Sequence, residues 1–127
     1  MQTRNTEQKR RILAILAAAK VPVSVDCIYR RARGELAKST IYRNLEALVG
    51  KGVAERHYLE AKGSLYRIRA HGHAHFVVCG SCRRMVPIPG CNLRAFERKT
   101  ELATGFVISG HYMQMSGTCG RCRKRVE

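Results

Sequence analysis

The sequence predicts an α+β protein built from two small parts, and three observations support this fold class. Apolar residues recur at helical spacing through the first third of the chain, and two runs of β-type residues follow them. The second half mixes short strands with one amphipathic helix and carries two Cys-x-x-Cys pairs. Since each part of a 127-residue chain is small, we expect a metal or a partner subunit to supplement its core.

The first third is predicted to form three helices. Thr6 is placed to cap the first helix, Ser24 the second and Ser39 the third, because their hydroxyl groups accept hydrogen bonds from the first helical amides. Gly34 stops the second helix and Gly50 closes the third. The positions expected to face the core are Ile12, Leu13, Leu16, Ala19, Val25, Ile28, Tyr29, Ala32, Ile41, Leu45, Leu48 and Val49.

A hairpin is predicted after the third helix. Its strands span residues 53–59 and 65–69, and the turn between them is Glu60-Ala61-Lys62-Gly63. Three short helices followed by a hairpin predict a winged helix-turn-helix, which we assign to residues 1–69. A short hinge at residues 69–72 follows.

The second part is predicted to be a small α/β domain over residues 73–127. Strands are expected at residues 73–78 and 84–88, a helix at 92–103 and a last strand at 106–115. The apolar face of the helix comprises Leu93, Phe96 and Leu102.

Four cysteines predict a zinc site. Cys79 and Cys82 form one Cys-x-x-Cys pair, and Cys119 and Cys122 form the other. The two-residue gap lets both thiolates of a turn face one ion, and two such turns supply the four soft ligands that tetrahedral Zn²⁺ favours. A structural role is the leading interpretation, and the alternative is a thiol switch in which oxidation of one pair releases the metal. Cys27 is interpreted as a packing residue.

The histidines offer a second metal site. His71, His73 and His75 alternate, so on a strand they share one face, and His111 reaches them if the last strand pairs nearby. Imidazole ligands suit Zn²⁺, Fe²⁺, Mn²⁺ or Ni²⁺. The alternative is a set of solvated surface histidines. His57 stands apart in the predicted hairpin.

The charge predicts a polyanionic partner. The chain has 24 Lys and Arg against 9 Asp and Glu, a net charge of +15, which favours nucleic acid, although solubility alone is the simpler explanation. No apolar run is long enough to cross a bilayer and no secretory signal is visible, so we expect a cytoplasmic protein without a membrane partner. A zinc enzyme is disfavoured because acidic residues are few and no nucleophile motif is present. An RNA-binding zinc module would lack an aromatic platform.

The order of these parts resembles the ferric uptake regulator (Fur) family of metalloregulators. The segments that carry the resemblance are STIYRNLEALVGKGV at 39–53, CGSC at 79–82 and GFVISGHYMQMSGTCGRC at 105–122. The resemblance implies a homodimer with an N-terminal winged helix that binds double-stranded DNA and a C-terminal domain that dimerises and senses a divalent metal. It also implies that metal binding swings the winged helices into a DNA-binding arrangement.

The resemblance assigns DNA contacts residue by residue. Tyr42 and Arg43 match the exposed pair of the recognition helix, where a Tyr ring can meet a thymine methyl and an Arg can fork onto guanine or phosphate. The four cysteines match the structural zinc ligands. The residues expected at the DNA are Lys9, Arg10, Arg11, Ser39, Thr40, Tyr42, Arg43 and Asn44.

The sensing sites of the family match less fully. Counted back from Cys79 without a gap, His73, His75 and His111 match a site within the dimerisation domain, but its acidic ligand falls on Arg94. The candidates to replace that ligand are Glu97, Glu101 and Cys91.

A second family site bridges the two domains, and here the expected ligands are missing. In the ungapped register its positions fall on Pro22, Arg67, Ala74 and Phe76. A one-residue bulge before Cys79 would instead bring His73 and His75 into this site, and the sequence leaves both registers open.

The favoured function is a metal-responsive repressor that acts as a homodimer on an inverted-repeat operator. Its basis is the predicted winged helix, the basic charge and the surviving histidines. The alternative is a redox-controlled or constitutive DNA-binding regulator of the same fold that has lost metal sensing, because arginines stand where acidic ligands are expected.

Overall fold

The computed structural model describes residues 2–59, 63–88 and 90–126. The chain divides into two compact units, Met1–Gly72 and His73–Glu127. Each unit is described by itself.

Unit 1 begins with three helices: α1 (Gln2–Ala18), α2 (Val25–Arg31) and α3 (Lys38–Gly50). Ser24 caps α2 as predicted, since its hydroxyl oxygen accepts a hydrogen bond from the amide of Cys27 at 3.1 Å. Two other caps were predicted wrongly. Thr6 lies inside α1, which already begins at Gln2. Ser39 lies inside α3, because the carbonyl group of Ala37 accepts the first helical hydrogen bond, from Ile41 at 3.1 Å.

An antiparallel hairpin follows, as predicted, with β1 at Ala54–Leu59 and β2 at Gly63–Ile68. Residues 60–62 of the predicted turn lie outside the described residues. The hairpin is fastened to the helices where Val23 and Tyr66 exchange backbone hydrogen bonds of 2.8 and 2.7 Å. A 3-10 helix at Arg69–His71 ends the unit. The core of unit 1 contains Ile12, Leu16, Ala19, Val23, Val25, Ile28, Ala32, Leu36, Ile41, Leu45, Leu48, Ala54 and Tyr66.

Unit 2 is organised around a three-stranded sheet in the order β4-β3-β5. The central strand β3 (His75–Cys79) pairs antiparallel with β4 (Met85–Ile88) and parallel with β5 (Gln114–Gly117). Pro87 is tolerated in β4 because that strand lies at the edge of the sheet.

Two helices complete unit 2, α4 (Arg94–Thr104) and α5 (Gly120–Val126). Gly105 ends α4 in the left-handed conformation, with φ of 78°. The apolar face predicted for α4 is not buried within its own chain, since Phe96 is 68% and Leu102 89% exposed.

The last strand was predicted too long. Only Gln114–Gly117 pairs with β3, and residues 105–113 form no strand. Their apolar pattern finds no partner edge among the described residues, and Phe106, Val107 and Tyr112 are exposed. The pattern was therefore read correctly as apolar but assigned to the wrong structure.

Candidate metal centres and nucleic-acid interface

Strand β3 positions candidate metal ligands at both of its ends. Its first residue is His75 and its last is Cys79. Gly117, the last residue of β5, pairs with Cys79, and Cys119 follows shortly after it in the chain. The turn from β3 to β4 contains Cys82. The sheet therefore brings the two distant Cys-x-x-Cys pairs together at one end of a single strand.

The four cysteines Cys79, Cys82, Cys119 and Cys122 form one cluster, with all sulfur atoms within 4.8 Å of one another. The Cys82 and Cys119 sulfurs are 3.8 Å apart, which equals the edge of about 3.8 Å expected for a tetrahedron with Zn–S bonds of about 2.3 Å. Cys79 and Cys122 are buried. Number, type and spacing of these donors all fit zinc.

Hydrogen bonds favour the thiolate form of one cysteine in this cluster, Cys79. The backbone amides of Cys82 and Cys119 donate to the Cys79 sulfur at 3.5 and 3.4 Å. They stabilise the thiolate and lower the pKa of Cys79 to about 5. The pKa of Cys122 is raised to about 12, chiefly by its hydrogen bond with Cys119 and by burial. A bound Zn²⁺ supplies the positive charge that lets all four sulfurs ionise together.

A second cluster lies at the opposite end of β3. The Nε2 atoms of His73, His75 and His111 form a triangle with sides of 3.1, 3.0 and 3.0 Å. The sulfur of Cys91 lies 3.2 Å from His75 Nε2 and 3.3 Å from His111 Nε2. All four donor atoms lie within 4.8 Å of one another. Tetrahedral ligands at about 2.0 Å from a metal are about 3.3 Å apart, so the cluster has the size of a metal site.

Outer hydrogen bonds aim two of these rings inward. His75 Nδ1 donates to the carbonyl oxygen of Met113 at 3.2 Å, and His111 Nδ1 donates to Glu97 Oε2 at 3.1 Å. With the proton on Nδ1, each Nε2 presents its lone pair to the centre. Burial also lowers the pKa of His75, which favours the neutral ring that a metal requires.

The sequence predicted most of this cluster but not all of it. His73, His75 and His111 are brought together, whereas His71 lies in the 3-10 helix of unit 1 and outside the cluster. Of the three candidate replacements for the acidic ligand, only Cys91 reaches the centre. Glu97 accepts a hydrogen bond from His111 Nδ1, on the side of the ring that faces away from the cluster. Glu101 accepts a hydrogen bond of 2.9 Å from the backbone amide of Ile108. Choosing among them requires the strand order, which a single sequence does not give.

The predicted DNA-contacting residues lie on α1 and α3 of unit 1. Tyr42 and Arg43 are exposed, and Tyr42 keeps 50% of its surface. Asn44 is half-buried, and its side chain donates to the carbonyl oxygen of Thr40 at 2.9 Å. Ser39 is exposed near the start of α3.

A groove of about 370 Å³ separates the start of α1 from the exposed face of α3. Its lining includes Lys9 of α1, Arg43 of α3 and Lys51, the C-cap of α3. Lys51 was not among the residues predicted to contact DNA. Arg10 is exposed. Arg11 instead binds within the unit, donating to the Ala32 carbonyl oxygen at 3.1 Å and pairing with Glu35 at 3.6 Å.

The comparisons with known proteins agree with this architecture. The sequence model of the ferric uptake regulator family matches residues 1–116. The chain belongs to the ferric uptake regulator family. The peroxide-responsive repressor PerR of Staphylococcus aureus (strain USA300) is 26% identical to it over 125 residues, which are 96% of this chain and 84% of that protein.

Solved structures of Fur proteins share the fold. The Helicobacter pylori ferric uptake regulator Fur superimposes with a TM-score of 0.82 at 18% identity, over 92% of this chain and 80% of that one. FurB of M. tuberculosis, a zinc uptake regulator, is 27% identical, with a TM-score of 0.54 and coverage of 95% and 96%. Proteins of this family are transcriptional regulators, and the chain is therefore a regulator and not an enzyme. Among its described residues, no helix is long and apolar enough to span a membrane.

Arg67 distinguishes this Fur protein at a position where the resemblance expects an acidic metal ligand. The side chain is buried, and Nη1 donates to the carbonyl oxygen of Gly72 at 2.7 Å and to Glu55 Oε1 at 3.3 Å. A guanidinium group cannot bind a cation. Pro22 and Phe76, at two further positions of that site, are buried and apolar. These residues do not fit a metal.

Proposed function

We propose that this Fur-family protein is a metal-responsive transcriptional repressor that binds an inverted-repeat operator as a homodimer. The convergence of three histidine Nε2 atoms within 3.1 Å of one another carries the sensing part of the proposal. Residues 1–69 act as the DNA-binding domain and residues 73–127 as the dimerisation and sensing domain. Thiolate ligands that stay reduced fit work in the cytoplasm.

In the DNA-binding domain, α3 is the recognition helix of a winged helix-turn-helix. Tyr42 and Arg43 project from its exposed face and are assigned to base edges. Lys9 and Lys51 line the groove beside them and are assigned to backbone phosphates. Because Arg11 is held by Ala32 and Glu35, any phosphate contact it makes competes with those bonds. The net charge of +15 supports strong, salt-dependent binding.

The homodimer is supported by an unpartnered apolar surface on unit 2. It consists of Phe96 and Leu102 on α4 with Phe106, Val107 and Tyr112 on the following segment, all at least 68% exposed. An apolar surface of this kind marks an interface, and proteins of this family act as dimers. A second copy of the chain is the partner we assign to it.

Residues 111–113 belong both to the histidine cluster and to the proposed dimer interface. His111 belongs to the second cluster, Tyr112 to the apolar surface, and the carbonyl oxygen of Met113 orients His75. Metal binding at the histidines therefore fixes the backbone that presents the interface. Since Arg67 of unit 1 offers no metal ligand, the signal is assigned to the dimerisation domain alone.

DNA binding with and without the second metal tests the proposal. DNA selected from a random inverted-repeat library would be titrated with protein that keeps zinc in its four-cysteine site, with Zn²⁺ added or chelated from the histidine site. We expect binding to be tighter by roughly tenfold or more with the metal, a coupling in the usual range for allosteric regulators. His111→Ala should lose this response and His71→Ala should keep it. Equal affinity in both states would refute sensing and leave DNA binding standing.

Redox control is a second candidate, because Cys82 is exposed beside the Cys79 thiol, whose pKa is about 5. Oxidants reach an exposed thiol first, and the oxidised Cys82 sulfur would then be attacked by the adjacent, buried Cys79 thiolate to form a disulfide. Treatment with hydrogen peroxide would then release zinc and abolish DNA binding together. Loss of DNA binding without zinc release would argue against this route.

A further inference from the structure

The second cluster contains a thiol among its three imidazole rings. Cys91 lies 3.2 Å from His75 Nε2 and 3.3 Å from His111 Nε2, and these two nitrogens are 3.0 Å apart. Because both rings hold their proton on Nδ1, both Nε2 atoms are acceptors. His73 Nε2 lies 3.1 and 3.0 Å from the same two nitrogens, so three imidazole nitrogens and one sulfur converge on one point, where a cation would be stabilised.

The chain path fixes Cys91 at this place. β4 runs antiparallel to β3 and ends at Ile88, which pairs with His75. Gly90, with φ of 73°, turns the backbone immediately before Cys91. The pairing of Ile88 with His75 therefore brings this part of the backbone close to the His75 ring.

We infer that Cys91 is the fourth ligand of the sensing site and that its thiolate makes the site selective for zinc. This inference rests on the proposed function and specifies its signal. Three imidazole nitrogens and one thiolate form a four-coordinate, borderline-soft donor set, which suits Zn²⁺ and Co²⁺. Mn²⁺ prefers more oxygen donors, and the carboxylate of Glu97 is occupied outside the site by His111.

The donor set also assigns a role to the segment before α4. Strands β4 and β5 lie on opposite sides of the central strand β3. A bound metal would link Cys91, which follows β4, to His111, which precedes β5. Glu97 of α4 already bonds the other side of the His111 ring. Zinc would thus connect α4, which bears Phe96 and Leu102 of the apolar surface, to the sheet.

Cobalt spectroscopy of the full chain tests the inference. The starting protein holds zinc in the four-cysteine site, and elemental analysis confirms that this zinc remains throughout. Co²⁺ is then titrated into wild type, Cys91→Ala and, as a matched control, Cys27→Ala, whose thiol packs against the core of unit 1. We expect wild type and the control to show tetrahedral d–d bands and a thiolate-to-cobalt charge-transfer band. The charge-transfer band should be missing in Cys91→Ala.

Affinities measured against a chelating dye complete the test. Zinc affinity should fall on the order of 100-fold in Cys91→Ala, since losing a direct ligand costs at least as much as losing an outer-shell partner. Manganese affinity should change less than about tenfold, so selectivity is lost. In wild type, Zn²⁺ but not Mn²⁺ should protect Cys91 from iodoacetamide, a readout that needs no variant.

The outcomes separate the two levels of inference. An unchanged charge-transfer band in Cys91→Ala, with zinc affinity within about twofold of wild type, would overturn the ligand assignment and leave three-histidine sensing intact. Alkylation of Cys91 at the same rate with and without zinc would overturn it as well. If wild type takes up no second metal, both the ligand assignment and the sensing part of the proposed function fail.

Discussion

Replacing Arg67 with alanine should destabilise unit 1 strongly. The guanidinium group is buried, with 6% of its side chain exposed, and it donates to the Gly72 carbonyl oxygen at 2.7 Å and to Glu55 at 3.3 Å. Hydrogen bonds that involve a charged group contribute about 1.5–3 kcal/mol each. The short bond to Gly72 counts fully and the longer one only in part, so we expect a loss of about 3 kcal/mol in the free energy of unfolding.

Thermal unfolding of the zinc-loaded chain, followed by circular dichroism, measures this loss. For a unit of this size about 1 kcal/mol shifts Tm by 4–8 °C, so the loss of about 3 kcal/mol should lower Tm of unit 1 by roughly 12–24 °C. Arg69→Ala, two residues further along and exposed, is the matched control and should leave Tm nearly unchanged. A fall of less than about 4 °C in Arg67→Ala would show that the buried cation contributes little and would refute the reasoning.

Three further predictions address the interface, the DNA contact and the response to pH. Leu102→Glu should weaken the dimer at least tenfold by sedimentation, because it puts a charge in the apolar surface. Arg43→Ala should cost about 1–3 kcal/mol in operator binding and relax specificity at one base position, measured by competition with altered operators. The hydrogen bond from Arg56 lowers the pKa of Glu46 below its ordinary 4.5. That contribution to stability is present above the ordinary value and is lost as pH falls through the lowered one, so Glu46→Gln should flatten the acid limb of unfolding.

The four-cysteine cluster, which fits zinc, could be predicted from sequence because its signal is local. Each Cys-x-x-Cys turn places two thiolates on one side of the backbone, and the number of such turns then fixes the donor set. The hairpin was predicted for a similar reason, since alternating β-type residues specify a strand without knowledge of its partner. Ser24 illustrates the same rule at a helix end, where the cap bonds an amide three residues away.

The errors in prediction occur where a distant partner decides the structure. Residues 106–113 have the apolar content of a strand, but the pairing edge of β3 is used by Gln114–Gly117 only. The apolar face of α4 was predicted, but the part of the chain that the structure describes leaves Phe96 and Leu102 exposed. Cys91 could be listed only as one of three candidates, because its distance to His75 depends on the pairing of β4 with β3.

The two clusters at the ends of β3 differ in a way that suits a sensor. A site that folds the protein cannot also report metal supply, since its empty form would be unfolded. Zinc bound by the four cysteines would hold β3, the turn to β4 and the chain after β5 together. Cys91 and His111 are then already aligned beside His75, so binding there orders few additional residues, each of which would cost about 1–2 kcal/mol of backbone entropy. A metal bound at the histidine end would therefore be released while the sheet stays folded.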